Sequence, residues 1–335
     1  MKFGAAITDA EGTRLTPEEK RLFRRMNPYG FILFARNIET ADQVRSLCGD
    51  FREAVGRDCL ITIDQEGGRV QRLRAPLARE WMPPLEHAKI AGDIAERTMY
   101  LRYRLISQEL LSLGIDSNCA PMVDVARAET HAFLRNRCYA EDAKRVAQIG
   151  RAVAQAHLDA GVLPVLKHMP GHGRATLDSH YDLPHVDLPL EELQTDDFAP
   201  FRALKDLPLG MTAHLVYDQI DSQPATLSAR MMAVIREEIG FDGLIMTDDI
   251  SMKALRGTPA EIAAQALSAG CDVVLHCNAS LADREAVLEA AGEMTGEAQA
   301  RAERALAMRS QPQALDIQAA EAELSRLMGG QVYVR

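Results

Sequence analysis

Eight short apolar runs punctuate this chain, and longer stretches of helical spacing separate them: "KFGAAIT", "GFILFAR", "CLITID", "SNCAPMVDV", "LPVLKH", "LGMTAHLVY", "GLIMTD" and "CDVVLHC". Most are apolar almost throughout and do not alternate, the pattern of parallel strands covered on both faces. Between them lie "PEEKRLFRRM", "ADQVRSLCGDFREAV", "EDAKRVAQIGRAVAQAHLDA" and "TPAEIAAQALSAG", whose apolar residues recur at helical spacing. Thr16-Pro17 and Thr258-Pro259 read as N-caps followed by proline at the first helical position. Eight strands alternating with helices over roughly 280 residues predict an α/β fold, a single-domain (β/α)8 TIM-type barrel, whose usual length is ~250 residues. An open doubly wound sheet is the rival, weakened because no G-x-G-x-x-G follows the first strand. Residues 1–335 are expected to form one domain, with the barrel over about 1–310 and an outer helical tail over about 311–335.

A net charge of −10, from 38 basic and 48 acidic residues, argues against a nucleic-acid partner. No apolar stretch approaches the roughly 18 residues of a membrane span. The N-terminal stretch lacks the run and cleavage site of a signal peptide. The six cysteines form no C-x-x-C pair, and Cys59, Cys119, Cys271 and Cys277 fall in or beside strand runs, where reduced thiols pack as small hydrophobes. A cytoplasmic protein is the expectation.

In such a barrel the strand C-termini form the active-site face. Five runs end there in ionisable groups: Asp64, Asp124, Lys167-His168, His214 and Asp248-Asp249. Strand ends that simply meet solvent would explain any one of these, but explain the set poorly. The segment "KHMPGHGRATLDSHYDLP" holds three histidines, His168 among them, with Asp178 and the turn-formers Pro170, Gly171 and Gly173. Together with "IDQEGGRVQRLR" and "MTDDISM", it resembles the bacterial branch of glycoside hydrolase family 3, and within it the single-domain cytoplasmic β-N-acetylglucosaminidases (β-hexosaminidases) of peptidoglycan recycling. The likeness spans nearly the whole chain. Met169, Gln65 and "NRCYA" depart from the family pattern, and the last leaves Arg135 beside Arg137 as a rival for one position.

The resemblance implies a retaining exo-glycosidase acting on N-acetylglucosaminyl-anhydromuramyl-peptides. Asp248 would be the nucleophile, His180 the general acid/base with Asp178 as its partner, and Asp64, Arg72, Arg137, Lys167 and His168 the sugar contacts. It implies neither cofactor nor metal, and a small sugar ligand in place of a nucleic acid, a membrane or an obligate protein partner.

The chemistry of these residues fits. A retaining glycosidase needs a carboxylate to attack the anomeric carbon and an acid to protonate the departing oxygen. Asp248 and Asp249 are adjacent on a strand and should point oppositely, and only the resemblance selects Asp248. Histidine can give and take a proton near neutrality, and an aspartate two residues away can fix its tautomer. Lys167 and His168 are also adjacent, so both reaching one ligand requires a turn, expected at Pro170-Gly171. His172, between two glycines, reads as a brace for the loop. His185 and Asp182 read as loop polar groups, and His87, His131 and His157 as helical or surface residues.

Several alternatives stand beside this reading. Glu66 competes with His180 as the acid. A metal hydrolase would use His168, His172, Asp178 and His180, although "MPG" forbids the helix that His-x3-His spacing suits. A Schiff-base enzyme would use Lys167 with a depressed pKa. A sugar-binding barrel without catalysis, a substrate-assisted mechanism and phosphorolysis complete the set.

Overall fold

The computed structural model describes residues 2–177 and 182–333. Among the described residues eight parallel strands form one sheet: β1 (Gly4–Thr8), β2 (Pro28–Leu33), β3 (Leu60–Ile63), β4 (Ser117–Asn118), β5 (Leu163–Met169), β6 (Leu209–Thr212), β7 (Leu244–Asp249) and β8 (Val273–Leu275). They lie in the order β3-β2-β1-β8-β7-β6-β5-β4. The Asp116 amide donates to the Ile61 carbonyl (3.1 Å) and the Cys119 amide to Ile63 (2.9 Å), which brings the two ends of the sheet together as a barrel. Each of the eight apolar runs contributes one strand of the barrel, and β5 is buried along its whole length.

The helices follow local chemistry. Helix α1 (Pro17–Met26) begins in a reciprocal capping box: the Glu19 amide donates to Thr16 Oγ1 (3.1 Å) and the Thr16 amide to Glu19 Oε2 (2.9 Å). Helix α2 (Ala41–Val55) ends at Gly56 in the left-handed region. Their apolar faces meet β2 through Phe23, Phe31 and Phe51, with ring centroids 4.0 Å apart for the stacked Phe31–Phe51 pair. Helices α3 (Ala95–Ser112) and α4 (Ala143–Asp159) pack on each other over the β3–β5 side. Helix α5 (Pro259–Ala269) starts in a second capping box, at Thr258.

Two runs depart from simple strands. "SNCAPMVDV" yields only the two-residue β4, because Pro121 has no N–H for the ladder, yet the chain continues alongside β5 through Val165 N to Ala120 O (2.9 Å) and Val123 N to Lys167 O (2.9 Å). "LGMTAHLVY" divides: β6 stops at Thr212, and Val216–Tyr217 pairs separately with His185–Val186 above the barrel. The C-terminal helix α6 (Ile317–Leu327) lies against α3, with Leu324 fully buried and Arg97 gripping Glu323 through two 2.8 Å bonds. Beyond it the Tyr333 ring packs on Trp81 at 5.2 Å. None of the helices among the described residues is long and apolar enough to cross a membrane. All six cysteines are buried and unpaired.

Candidate active site

Strand polarity delivers the polar residues to one end of the barrel. A cavity of about 310 Å³ opens there, and its wall includes Asp64 just beyond β3, Lys167 and His168 of β5, and Asp248 and Asp249 of β7. Arg72 and Arg137 reach it from the loops after β3 and β4. The Lys167–His168 and Met169–Pro170 peptide bonds are cis. Strand β5 runs on through Met169 with Lys167 and His168 both on the cavity wall, so the expected turn at Pro170-Gly171 comes after both side chains have reached it.

Four of these groups and the buried Glu66 behind them form one ionic network. Arg72 Nη2 lies 3.0 Å from Asp64 Oδ2, and Lys167 Nζ bridges Asp64 Oδ1 (3.0 Å) and Glu66 Oε1 (2.7 Å). Arg137 grips Glu66 in a fork, Nε to Oε2 at 3.0 Å and Nη2 to Oε1 at 2.8 Å. Three cations thus face two carboxylates, leaving a net positive charge beside Asp248. Burial opposes the charge on Glu66, but Arg137 and Lys167 outweigh it and bring its carboxyl down to about 2. Asp64 is likewise pushed up by burial and held well below the carboxylate range by Lys167 and Arg72. Glu66 is taken up by Arg137 and Lys167 and is absent from the cavity wall, a placement that suits an anchor and argues against the rival acid. Lys167 is moved in the direction opposite to a Schiff-base lysine: burial would lower it, yet Glu66 and Asp64 raise it above its ordinary value. Arg137 and not Arg135 enters the cavity, for Arg135 turns outward to Glu141 (2.8 Å).

Asp248 and Asp249 both touch the cavity, but their partners differ. Asp249 Oδ1 accepts the amides of Ser251 (3.0 Å) and Cys277 (3.4 Å), which ties it to the rim. Asp248 Oδ1 accepts the Asp249 amide (2.8 Å). Burial would raise Asp248, but His168, His214 and that amide, with a smaller contribution from Lys167, keep it below its ordinary value. Asp248 is an anion with an oxygen to spare for a ligand. His214 is buried, its Nδ1 against Thr226 Oγ1 (2.8 Å) and its Nε2 against the Asp249 carbonyl (3.0 Å), so it supports β7.

His168 Nδ1 meets Asp124 Oδ2 at 2.7 Å. The His172 amide donates to the other Asp124 oxygen at 2.6 Å, and its ring lies edge-on to His168 with centroids 5.7 Å apart. Burial, then the neighbouring His168, lower the His172 imidazole to about 4. His172 is absent from the cavity wall. Asp178 and His180, the expected acid/base pair, lie outside the described residues. Among the described residues no three His, Cys, Asp or Glu side chains gather as a metal-holding group. His185 is exposed and bonds Asp218 (2.8 Å), whereas His87 and His157 are helical and buried, and His131 caps the short helix Ala132–Arg135.

Sequence reasoning missed the rest of the wall. Asn278 and Cys277 follow β8, and Phe34 follows β2, where the strand-end rule could have found them. Asp9 follows β1 in the same way; it accepts from Arg284 Nε (2.8 Å) and from the Asn278 amide (2.7 Å), anchoring that side of the mouth. Met211, Met252, Leu275 and Ile32 supply an apolar face for which the sequence holds no position-specific signal.

Residues 9–308 match the glycosyl hydrolase family 3 N terminal domain. The beta-hexosaminidase of Pseudomonas aeruginosa is 38% identical over 280 residues, 82% of each chain. That of Nitrosospira multiformis is 34% identical over 291 residues, 83% of this chain and 81% of the relative. Among solved structures, NagZ from Neisseria gonorrhoeae in complex with N-trifluoroacetyl-D-glucosamine superposes with a TM-score of 0.80 at 28% identity, over 98% of this chain and 99% of that one. The family 3 beta-N-acetylglucosaminidase from Paenibacillus sp. str. FPU-7 gives 0.85 at 28% identity over 96% of this chain, which spans 66% of that longer protein. Identity above 30% across four-fifths of the curated relatives, together with a shared barrel and a family match over most of its length, shows that this chain belongs to glycosyl hydrolase family 3.

Proposed function

We propose that this glycoside hydrolase, a β-hexosaminidase by its relatives, is a retaining exo-β-N-acetylglucosaminidase that works through a covalent glycosyl-enzyme on Asp248. The observation that carries the proposal is the state of Asp248: an ionised carboxylate on the wall of a small cavity, facing a network with one net positive charge. A nucleophile must be an anion, and Asp248 is the acidic group of the wall with least of its charge spent on partners. Asp64, Arg72, Arg137, Lys167 and His168 would read the hydroxyls of the sugar, since donors and acceptors already held by ion pairs and hydrogen bonds fix orientation at low entropic cost. A cavity of about 310 Å³ lies at the small end of ligand sites and suits one sugar ring, which supports removal of terminal residues. His180, partnered by Asp178, would protonate the leaving oxygen and then activate water.

The family resemblance supports N-acetylglucosaminyl-anhydromuramyl-peptides from cell-wall recycling as substrates, and the six buried, unpaired cysteines are in keeping with a reducing cytoplasm. The test is release of p-nitrophenol from the β-N-acetylglucosaminide and from the β-glucoside. The first should be cleaved far faster. Asp248→Asn should lose at least roughly three orders of magnitude in kcat, and a 2-fluoro sugar should add its glycosyl mass to Asp248. His180→Ala should lose about 10²–10⁴-fold on a natural disaccharide but much less on an aryl glycoside with a good leaving group. Equal losses on both substrates, or a labelled residue other than Asp248, would overturn this assignment.

A further inference from the structure

Asp124 is fully buried at the end of the chain stretch that follows β4, yet it is not on the cavity wall. Its two oxygens serve two different elements. Oδ2 takes the His168 ring at Nδ1 (2.7 Å), and Oδ1 takes the His172 amide (2.6 Å) and, more weakly, the His168 amide (3.4 Å). Burial would raise its carboxyl, but the imidazoles of His168 and His172 and these hydrogen bonds keep it below its ordinary value, so it is an anion with acceptors only. The neighbouring chain is held just as firmly. Tyr217 Oη donates to the Gly171 carbonyl, Thr130 Oγ1 to the Gly173 carbonyl, and the His131 amide to the Ala175 carbonyl (2.9 Å).

We infer that Asp124 is a positioning residue: it fixes the His168 tautomer so that Nε2 is the ring atom offered to the cavity, and it registers the root of the 171–175 segment to the same carboxylate. An acceptor-only partner obliges Nδ1 to carry the proton, leaving Nε2 of the neutral ring as an acceptor for a ligand hydroxyl. The other charged or titratable groups around the ring are His172, His214, Lys167 and Asp248. Two anionic oxygens are needed because both neighbours donate. Asparagine offers one acceptor and one donor. If its oxygen keeps the His172 amide, its NH2 faces His168 Nδ1 and flips the ring to the Nε2–H form; if it keeps His168, a donor faces the His172 amide.

The role in turnover rests on the sugar-binding reading above, whereas the tautomer does not, so the two can fail separately. In the full-length protein labelled with 15N-histidine, two-bond 1H–15N spectra report the tautomer, with His168 assigned by its loss in His168→Gln. The neutral wild-type ring should be protonated at Nδ1, and Asp124→Asn should either move that proton to Nε2 or expose the His172 amide to exchange. Asp124→Asn should also lose about 10- to 100-fold in kcat/KM on the aryl N-acetylglucosaminide, the scale of one charge-assisted hydrogen bond. In a His168→Gln background the same substitution should cost clearly less, because part of its effect runs through a ring no longer there. A wild-type neutral ring protonated at Nε2 overturns the inference even if the variant fails to fold. So does a folded Asp124→Asn enzyme within twofold of wild type. A wild-type protein that cleaves no N-acetylglucosaminide would refute the proposed function and leave the spectra to decide the tautomer.

Discussion

Arg137 and Arg72 look alike in the sequence and answer to different physics in the fold. Arg137 is buried and forked onto a buried Glu66, so Arg137→Ala strands a carboxylate that keeps only Lys167. Breaking a buried pair in this way costs about 3–5 kcal/mol, and urea unfolding of Arg137→Ala should show a loss of that size. The Arg72 side chain is 29% exposed and its partner Asp64 retains Lys167. Arg72→Ala should therefore cost no more than ~1 kcal/mol in stability, while raising KM several-fold on the aryl glycoside. If the two variants unfold at the same urea concentration, the network is not arranged as described. The family resemblance assigned both arginines a sugar-binding role but could not rank them, because burial is a property of the packed chain. Glu66 shows the same limit: as a residue it could be acid or anchor, and only its two cationic neighbours make it an anchor.

At the level of elements, the stretch after β5 is where local chemistry and tertiary contact are most closely joined. "PGHG" reads as a turn from its composition, and the fold uses its second glycine for a close approach. A Cβ on Gly173 would come within 2.0 Å of the Val125 carbonyl oxygen, a backbone atom that cannot swing aside. Gly173→Ala should thus displace the root of the segment that leads to His180. We expect kcat/KM to fall by at least roughly tenfold, as small misplacements of catalytic groups can cost 10²-fold. Thr16→Ala, which removes a helix cap absent from the cavity wall, should cost about 1 kcal/mol in stability and leave kcat/KM nearly unchanged. An alanine at 173 with normal kinetics would show that this close packing does not matter to the chemistry. The helices α1, α2 and α5 were legible from caps and spacing because those signals lie within a few residues. The ends of β4 and β6 were not, because an apolar run does not record where its ladder partner stops.

For the whole molecule the barrel sets a pH window through its buried histidines. His157 of α4 lies between Ser107 Oγ (2.7 Å) and Asn118 Nδ2 (3.3 Å), joining two helices to β4. Ser107 already donates to the Tyr103 carbonyl and Asn118 Nδ2 is a donor, so Nδ1 carries the ring's proton and Nε2 accepts. Burial lowers this imidazole to about 3, from an ordinary value of 6.5. Its contribution is therefore complete above pH 6.5, where the unfolded chain is also neutral, and is lost as the pH falls toward 3. By pH 5 the loss from His157 alone is about 2 kcal/mol. His172, lowered to about 4, adds to it with the same sign. Glu66, lowered to about 2, begins to contribute only below its ordinary value of 4.5. Unfolding free energy should thus decline between pH 7 and pH 5, before Glu66 titrates, and His157→Gln should flatten that decline by about 2 kcal/mol. An unchanged slope in the variant would mean that His157 is not held neutral.

The chain's own residues were enough to determine the eight alternating units, most helix starts and the end of the barrel that carries charge, since periodicity, caps and the polarity of parallel strands are local or follow from fold class alone. They also located Asp64, Lys167, His168 and Asp248 at the cavity, because each sits at a strand's C-terminal end. Packing alone decided the pairings: Glu66 with Arg137 and Lys167, Asp124 with His168 and His172, Asn278 with Asp9. Those partners are separated by up to hundreds of residues along the chain, and the strength and sign of a charge's effect depend on distance and burial, neither of which exists until the barrel closes.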